Sequence, residues 1–173
     1  MSNKKKLDTK AGTKKLRDGI TSGGMGIAGY WRMELRGPRG ELKEYREVKN
    51  IALTTGLDYL ADSLATATGA TSSRFNYIAI GTSSTAPTST DTTLTAETGT
   101  RVAGTKSKPS SRTFRVTASF ASDNPAAAQT FREAALCVTN TAGTLLNHAT
   151  FADVNKASNE AFSITVDHVF VTA

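Results

Sequence analysis

The sequence is poor in several residue types that carry chemistry, with one cysteine, two histidines and an aromatic content of 7%. A single cysteine excludes an internal disulfide bond and a cysteine-based zinc site. Cys137 lies in the apolar run 134–138, which favours a buried thiol over a nucleophile. The chain has no apolar run near the roughly 20 residues of a membrane-spanning helix, and its N-terminus lacks the apolar core of a signal peptide. We therefore expect no membrane association, and a protein that stays in a cytoplasm-like compartment or is released without secretion.

Motifs for catalysis and cofactor binding are also missing from the sequence. There is no Gly-x-Ser-x-Gly motif, and no Ser/His/Asp set stands out. The glycine-rich stretch 19–26 lacks the Gly-Lys-Ser/Thr ending of a phosphate-binding loop and precedes no predicted helix, so a flexible hinge is the simpler interpretation. His148 and His168 lack metal-ligand spacing, which favours imidazoles at the surface or on an edge strand. The sequence predicts a protein that is not an enzyme and has no metal site or cofactor.

Positive charge is concentrated at the N-terminus of a chain whose net charge is +6. Residues 1–20 carry seven basic side chains against Asp8 and Asp18, a net of 7 − 2 = +5, whereas the remainder is nearly neutral. The basic side chains are Lys4, Lys5, Lys6, Lys10, Lys14, Lys15 and Arg17. With the glycine-rich stretch they predict an extended arm over residues 1–29 that cannot fold by itself.

The basic arm has two classes of partner that its composition could serve. Lysine-rich segments bind acidic protein surfaces in assemblies, and they also neutralise the phosphates of nucleic acids. No aromatic side chain for base stacking lies among residues 1–20, and residues 30–173 are close to neutral. This favours a protein surface as the partner, with nucleic acid as the alternative.

Residues 30–173 have the patterns of an antiparallel β protein, with 27 threonines and 15 serines in the whole chain supporting strands and polar loops. Alternating polarity on either side of the turn at 37–40 predicts a hairpin from residues 30–35 and 41–48. Further strands are predicted over 75–80, 113–120, 131–138, 145–151 and 162–170, and a loop is predicted over 100–111.

One helix is predicted, over residues 54–65, where Thr55 and Asp58 resemble a capping box. Asp58 and Asp62 share a helix face, and we interpret them as acids that face water. Apolar residues recur at helical spacing at Leu57, Leu60, Ala61 and Leu64. Seven or eight closely spaced strands with one short helix predict a mainly β fold, an antiparallel β-sandwich or jelly-roll-like domain over residues 30–173.

The stretch 75–97, FNYIAIGTSSTAPTSTDTTLTAE, changes character at Gly81. Before the glycine, alternation places Ile78 and Ile80 on one side of a strand and Tyr77 on the other. After it, twelve residues of Ser, Thr, Ala, Pro and Asp predict a loop that returns the apolar side chain of Leu94 to the domain.

From residue 48 onward the chain resembles a recurring type of tailed-bacteriophage structural protein. The resemblance is carried by NIALTTGLDYLA at 50–61, YIAIGT at 77–82 with DTTLTAE at 91–97 and then Arg101, and FREAAL at 131–136. It continues through GTLLNHATF at 143–151 and VNK at 154–156, and ends in the strand FSITV at 162–166.

The resemblance implies a non-enzymatic virion component that is assembled in the host cytoplasm. We expect a capsid decoration or cement protein, a homo-oligomer that binds the major capsid protein through its arm and stabilises the particle. A tail, neck or baseplate protein is the alternative within this class, and a nucleic-acid-binding module is the alternative outside it. A third hypothesis is carbohydrate recognition through Tyr30, Trp31, Tyr45 and Tyr77.

Overall fold

A computed structural model of the chain describes residues 25–65 and 75–172. Within them the chain forms ten β-strands and one helix. In chain order these are β1 (Met25–Arg36), β2 (Leu42–Lys49), β3 (Ile51–Ala52), α1 (Thr54–Ala65), β4 (Tyr77–Gly81), β5 (Glu97–Ala103), β6 (Thr105–Ser107), β7 (Thr113–Phe120), β8 (Gln129–Cys137), β9 (Leu145–Lys156) and β10 (Ala161–Thr172).

The strands form two antiparallel sheets of five strands each. Sheet A has the order β2-β1-β10-β7-β6, and sheet B has the order β3-β9-β8-β4-β5. The longest ladder joins β1 to β10 without a register shift, from Met25 opposite Thr172 to Arg36 opposite Ala161. The prediction of a mainly β, antiparallel sandwich is confirmed.

The main core lies between the two sheets and is built from the alternating apolar residues of their strands. Trp31 of β1, Phe162 of β10 and Phe131 of β8 are all fully buried. The rings of Phe131 and Phe162 stack across the sandwich with centroids 5.2 Å apart. Aromatic pairs of this kind contribute about 0.5–1.5 kcal/mol beyond the burial of their area.

Helix α1 has the predicted bounds, but its predicted apolar face is confirmed only in part, because Leu60 packs against the main core while Ala61 is exposed. Leu57 is 41% exposed, whereas Tyr59 packs edge-on against Phe75 with ring centroids 5.2 Å apart. Gly56 determines which face of the helix packs against sheet B, because a Cβ at this position would lie 2.5 Å from the Cα of Leu146 in β9. Close approach of helix and sheet at the glycine turns Leu57 outward.

The acids of the helix behave as predicted, since Asp58 and Asp62 are both exposed. The predicted hairpin is also present as β1 and β2, joined through the turn at 37–40, in which the Gly40 N–H donates to the Gly37 carbonyl at 2.9 Å.

The largest differences from the predicted segments lie at the start of β1 and at β5 and β6. Strand β1 begins at Met25, so residues 25–29, predicted to be part of the arm, pair with β10. Residues 97–107 form β5 and β6, whereas most of this stretch was predicted to be a loop. Both strands end their sheets, and an edge strand needs few apolar residues because most of its side chains face water.

Candidate functional site

The loop between β4 and β5, residues 82–96, covers the outer face of sheet B and is called the anchored loop below. Alternate residues of β4 and β8 point away from the main core and form a second apolar cluster on that face. The cluster contains Leu53, Ala79, Leu94, Ala135, Cys137 and Leu145. Leu94 is the contribution of the anchored loop and is 5% exposed, as predicted.

Glu133 of β8 binds both ends of the anchored loop through hydrogen bonds to its backbone. Its carboxylate is fully buried and accepts hydrogen bonds from the backbone N–H groups of Ser83 at 3.3 Å, Thr95 at 3.1 Å and Ala96 at 2.7 Å. Gly81 makes room for it, because a Cβ at that position would lie 2.4 Å from Glu133 Oε1. A buried carboxylate needs such donors, since burying the charge without partners is costly.

His148 of β9 links Glu133 to the middle of the anchored loop. Its Nδ1 lies 2.8 Å from Asp91 Oδ2, and its Nε2 lies 3.1 Å from Glu133 Oε2. A carboxylate only accepts hydrogen bonds, so the ring serves both partners when each nitrogen carries a proton. Asp91 also accepts from the Thr88 backbone N–H at 3.0 Å and from the Thr88 hydroxyl at 2.5 Å.

The electrostatics of the Asp91 carboxyl favour its charged form. Desolvation raises the pKa of Asp91, but hydrogen bonds from Thr88 and His148 outweigh that effect and hold the pKa below its ordinary value. The Asp91–His148–Glu133 network therefore fastens the anchored loop at residues 83, 91 and 95–96.

The network is suited to holding the loop rather than to catalysis. Both nitrogens of His148 are engaged by carboxylates, and the side chain is 1% exposed, so no ring nitrogen faces an incoming substrate. The prediction that the histidines lie at the surface or on an edge strand is wrong, because His168 is also only 3% exposed and both β9 and β10 are interior strands of their sheets. Within residues 25–65 and 75–172, no group of three or more His, Cys, Asp or Glu side chains is arranged to hold a metal ion.

His168 of β10 makes a polar contact across the main core. Asn147 Nδ2 lies 2.6 Å from His168 Nε2, while Asn147 Oδ1 accepts from the Leu136 backbone N–H at 3.1 Å. Burial lowers the pKa of His168 to about 4, against a smaller opposing effect of Asp167. The ring is therefore neutral at pH 7, with the lone pair of Nε2 accepting from the Asn147 amide.

Asp167, the neighbour of His168, points to the outer face of sheet A, as expected for adjacent strand residues. Arg115 donates to its two oxygens from Nε at 2.6 Å and from Nη2 at 2.7 Å, and Arg32 forms a further ion pair with it. Partial burial raises the pKa of Asp167, but the two arginines outweigh it and the pKa is lowered. The three side chains tie together the neighbouring strands β1, β10 and β7.

The structure separates the aromatic side chains considered for carbohydrate binding. Trp31 is fully buried in the main core, whereas Tyr30 and Tyr45 belong to the opposite face of sheet A. Tyr77 packs against the apolar cluster of sheet B. These residues do not form one aromatic surface.

Cys137 is fully buried, as predicted, and burial raises the pKa of its thiol to about 12. The thiolate needed for nucleophilic attack is therefore strongly disfavoured.

The predicted anchor residues lie outside the described residues. They are Lys4, Lys5, Lys6, Lys10, Lys14, Lys15 and Arg17. What the structure places is their point of attachment, because β1 begins at Met25 opposite Thr172 of β10. The basic segment thus joins the domain at the Met25 end of strand β1.

The sequence did hold a signal for the network. Glu133 interrupts the apolar strand FREAALC, and His148 interrupts LLNHATF. A charged or polar residue inside a buried strand needs a buried partner, which lies far away in sequence here: Asp91 is 57 residues from His148.

Comparisons of the chain with protein-family models, with curated proteins and with solved structures found no match. In the part of the chain that the structure describes, no helix is long and apolar enough to cross a membrane.

Proposed function

We propose that this chain is a non-enzymatic structural component of a bacteriophage virion, a capsid decoration protein that binds the major capsid protein through its basic N-terminal segment. The resemblance of residues 48–173 to phage structural proteins suggests the class. The observation that carries the anchoring role is the attachment of the segment to β1.

Strand β1 is well placed to hold a domain on a surface. It is 12 residues long and is paired with β10 along its whole length and with β2 from Tyr30 onward. A pull on the basic segment runs along this strand, so many backbone hydrogen bonds have to break together before the domain is released. An attachment through a loop would lack this resistance.

The buried polar groups of the domain support a structural role as well. Glu133 and His148 are used to fasten the anchored loop, and Asp167 is used to join strands of sheet A. Their hydrogen-bonding groups bind partners within the chain and so fix the conformation of the loop and of sheet A. This is what a structural domain with a constant surface requires.

Binding to particles tests the proposal. Heads and tails of the encoding phage, assembled without this chain, are mixed with the full-length protein and recovered by sedimentation. We expect saturable binding to heads. A variant with Lys4, Lys5, Lys6, Lys10, Lys14, Lys15 and Arg17 changed to glutamine should lose it. The matched control changes Lys106 and Lys108, which are exposed lysines of the domain, to glutamine and should still bind.

The other outcomes separate the alternatives. Binding to tails but not heads would replace the decoration role with a tail, neck or baseplate role. Binding to neither, together with binding to a DNA duplex that weakens steeply between about 50 and 200 mM salt, would favour the nucleic-acid-binding alternative. Full head occupancy by the glutamine variant would refute the anchoring role of the basic segment.

A further inference from the structure

Strand β2 forms one end of sheet A, so in the described part of the chain β1 is its only neighbouring strand. Its side chains alternate between exposed and half-buried from Lys43 to Lys49. Leu42 is 52% exposed and Tyr45 is 37% exposed, so both side chains are accessible along this strand. An open strand of eight residues is a template for pairing with another strand.

The ladder between β1 and β2 determines which backbone groups face the open side. The Asn50 N–H donates to the carbonyl of Gly29 at 3.3 Å, one step beyond the pair of Tyr30 with Lys49. Opposite residues in an antiparallel ladder alternate between hydrogen-bonded and non-hydrogen-bonded pairs. The N–H and C=O groups of Tyr45 and Glu47 therefore point away from β1.

The sequence of this strand is antisymmetric in charge. In ELKEYREVK, residues 41–49, each charged residue on one side of Tyr45 has a residue of opposite charge at the same distance on the other side. When such a strand pairs with a second copy of itself in antiparallel fashion, residue 45 − n lies opposite residue 45 + n. The facing pairs are Glu44 with Arg46, Lys43 with Glu47, Leu42 with Val48, and Glu41 with Lys49.

We propose that β2 is a self-complementary dimerisation edge, on which two copies of this chain pair their β2 strands across a two-fold axis at Tyr45. The backbone groups of Tyr45 then face those of the second Tyr45, which is the arrangement of a hydrogen-bonded pair. The two copies of sheet A become one continuous sheet of ten strands, five from each copy. The C2 arrangement is the commonest symmetry of homo-oligomers.

Neighbouring registers bring like charges together and are disfavoured. With Glu44 at the axis, Glu41 lies opposite Glu47 of the second copy. With Arg46 at the axis, Lys43 lies opposite Lys49. Like charges directly opposite each other destabilise a strand pair, while opposite charges contribute about 0.2–1 kcal/mol per pair. The charge pattern thus selects the register that is centred on Tyr45.

In the single chain, the same charged groups have partners both within the strand and outside it: Lys43 forms an ion pair with Glu160, and Arg46 Nη2 donates to the Asp153 carbonyl at 3.1 Å. Arg46 Nη2 lies 3.0 Å from Glu44 Oε2, and the Tyr45 hydroxyl donates to Glu47 Oε2 at 2.9 Å. Arg46 Nη1 also donates to the Tyr45 carbonyl at 3.0 Å. Dimerisation exchanges these contacts for contacts between copies, and Arg46 turns away from the carbonyl as the second backbone pairs with it. The association is therefore weakened by salt.

This inference does not rest on the proposed virion role, since it concerns the chain by itself in solution. It also has a geometric consequence, because β1 and β2 are paired with Tyr30 opposite Lys49. The two-fold axis places the Lys49 ends of the two β2 strands at opposite ends of the shared sheet. The Met25 ends of the two β1 strands, to which the basic segments are joined, then also lie at opposite ends of the shared sheet.

Sedimentation equilibrium of the full chain tests the inference with a charge swap. We expect the wild-type protein to dimerise in the range of about 1 to 200 μM. Glu44→Arg and Arg46→Glu each place like charges opposite one another in both symmetric pairs, so each should raise the dimer dissociation constant about tenfold or more. The double variant Glu44→Arg/Arg46→Glu restores opposite charges and should return the constant to within about threefold of wild type.

Cysteine cross-linking tests the position of the axis. Facing Cα atoms in a hydrogen-bonded antiparallel pair are about 5.5 Å apart, which a disulfide can span. Tyr45→Cys should form a disulfide-linked dimer under mild oxidation, and the background is low because Cys137 is buried. The matched control is Ser107→Cys, on the exposed strand β6 at the opposite edge of sheet A. It should remain a monomer on a non-reducing gel.

Three results would overturn the inference. The first is a wild-type chain that stays monomeric through the whole concentration range. The second is a dimer whose dissociation constant does not respond to either single charge reversal. The third is a double variant that remains as weak as the single variants while circular dichroism shows that it is folded, because a general loss of stability would then explain the effect.

Discussion

Glu133→Gln removes one charge from the centre of the network that fastens the anchored loop, and it changes little else. Glutamine keeps one carbonyl oxygen, which can still accept from Ser83 and Ala96, the two backbone donors that Glu133 Oε1 serves. The new amide NH2 replaces Oε2, which accepts from the Thr95 N–H at 3.1 Å and lies 3.1 Å from His148 Nε2. The Thr95 N–H would then face a donor instead of an acceptor.

The expected cost follows from these contacts. The hydrogen bond from the Thr95 N–H to a charged acceptor is lost, and the contact between residue 133 and His148 becomes one to a neutral group. A hydrogen bond to a charged group contributes about 1.5–3 kcal/mol. Because the loop can partly shift to admit water, we expect a fall of about 2–4 kcal/mol in the free energy of unfolding.

Urea unfolding followed by tryptophan fluorescence measures this change. Trp31 is the single tryptophan and is fully buried, so its emission reports exposure of the main core. Asp58→Asn, on the exposed face of α1, is the matched acid-to-amide control and should change the free energy of unfolding by less than about 0.5 kcal/mol. Hydrogen exchange should show faster exchange at the Ser83, Thr95 and Ala96 amides of the Glu133→Gln variant.

A Glu133→Gln protein as stable as the control would contradict the reasoning. It would mean that the carboxylate contributes no more than a neutral acceptor and that the anchored loop is held by Leu94 and its backbone contacts alone. Lower stability with unchanged exchange at the three amides would also contradict it, because the cost would then arise elsewhere.

Three further predictions concern residues of the main core, the helix and sheet B. The pKa of His168 is lowered from 6.5 to about 4, so its contribution to stability is fully present above pH 6.5 and is lost as the pH falls towards 4. Between pH 7.5 and 5 the free energy of unfolding should fall by about 2 kcal/mol from this group. Urea unfolding of His168→Gln should lack this pH dependence. Tyr59→Ala should lower the unfolding free energy by about 2–4 kcal/mol and Leu57→Ala by less than about 0.5 kcal/mol, and the reverse order would show that Leu57 faces the core. Cys137 should resist a thiol reagent in the native protein and react once urea unfolds the chain, and rapid native labelling would contradict its burial.

The parts of the fold that could be predicted from the sequence are those whose signal is local. Strand β7 follows from alternation, with Val116 and Phe120 buried, and the bounds of α1 follow from its composition. Strand β5 could not be found in this way, because it is polar and is stabilised by backbone pairing with β4 and by the side chain of Asn124, which bonds the N–H and the C=O of Thr100.

The anchoring network could not be predicted, because it joins residues from three separate parts of the chain. Asp91 lies in a loop, Glu133 in β8 and His148 in β9, and only the folded sheet brings them within hydrogen-bonding distance. The basic residues of the N-terminal segment show the opposite case. Their charge is evident from the sequence, while their partner depends on a surface outside the chain, so that part stays a prediction.

The anchored loop also has a practical consequence for engineering the protein. It is fixed at Ser83 by Glu133 and again at Thr88 and Asp91 through mutual hydrogen bonds, while residues 84–86 between these points are exposed. Lengthening a loop between two fixed points costs little free energy, about 0.6 kcal/mol for each doubling of its length. A foreign peptide inserted after Thr85 would therefore project into solvent from a loop that is fixed on both sides. Residues 84–86 are thus a suitable place to display an epitope or an affinity tag.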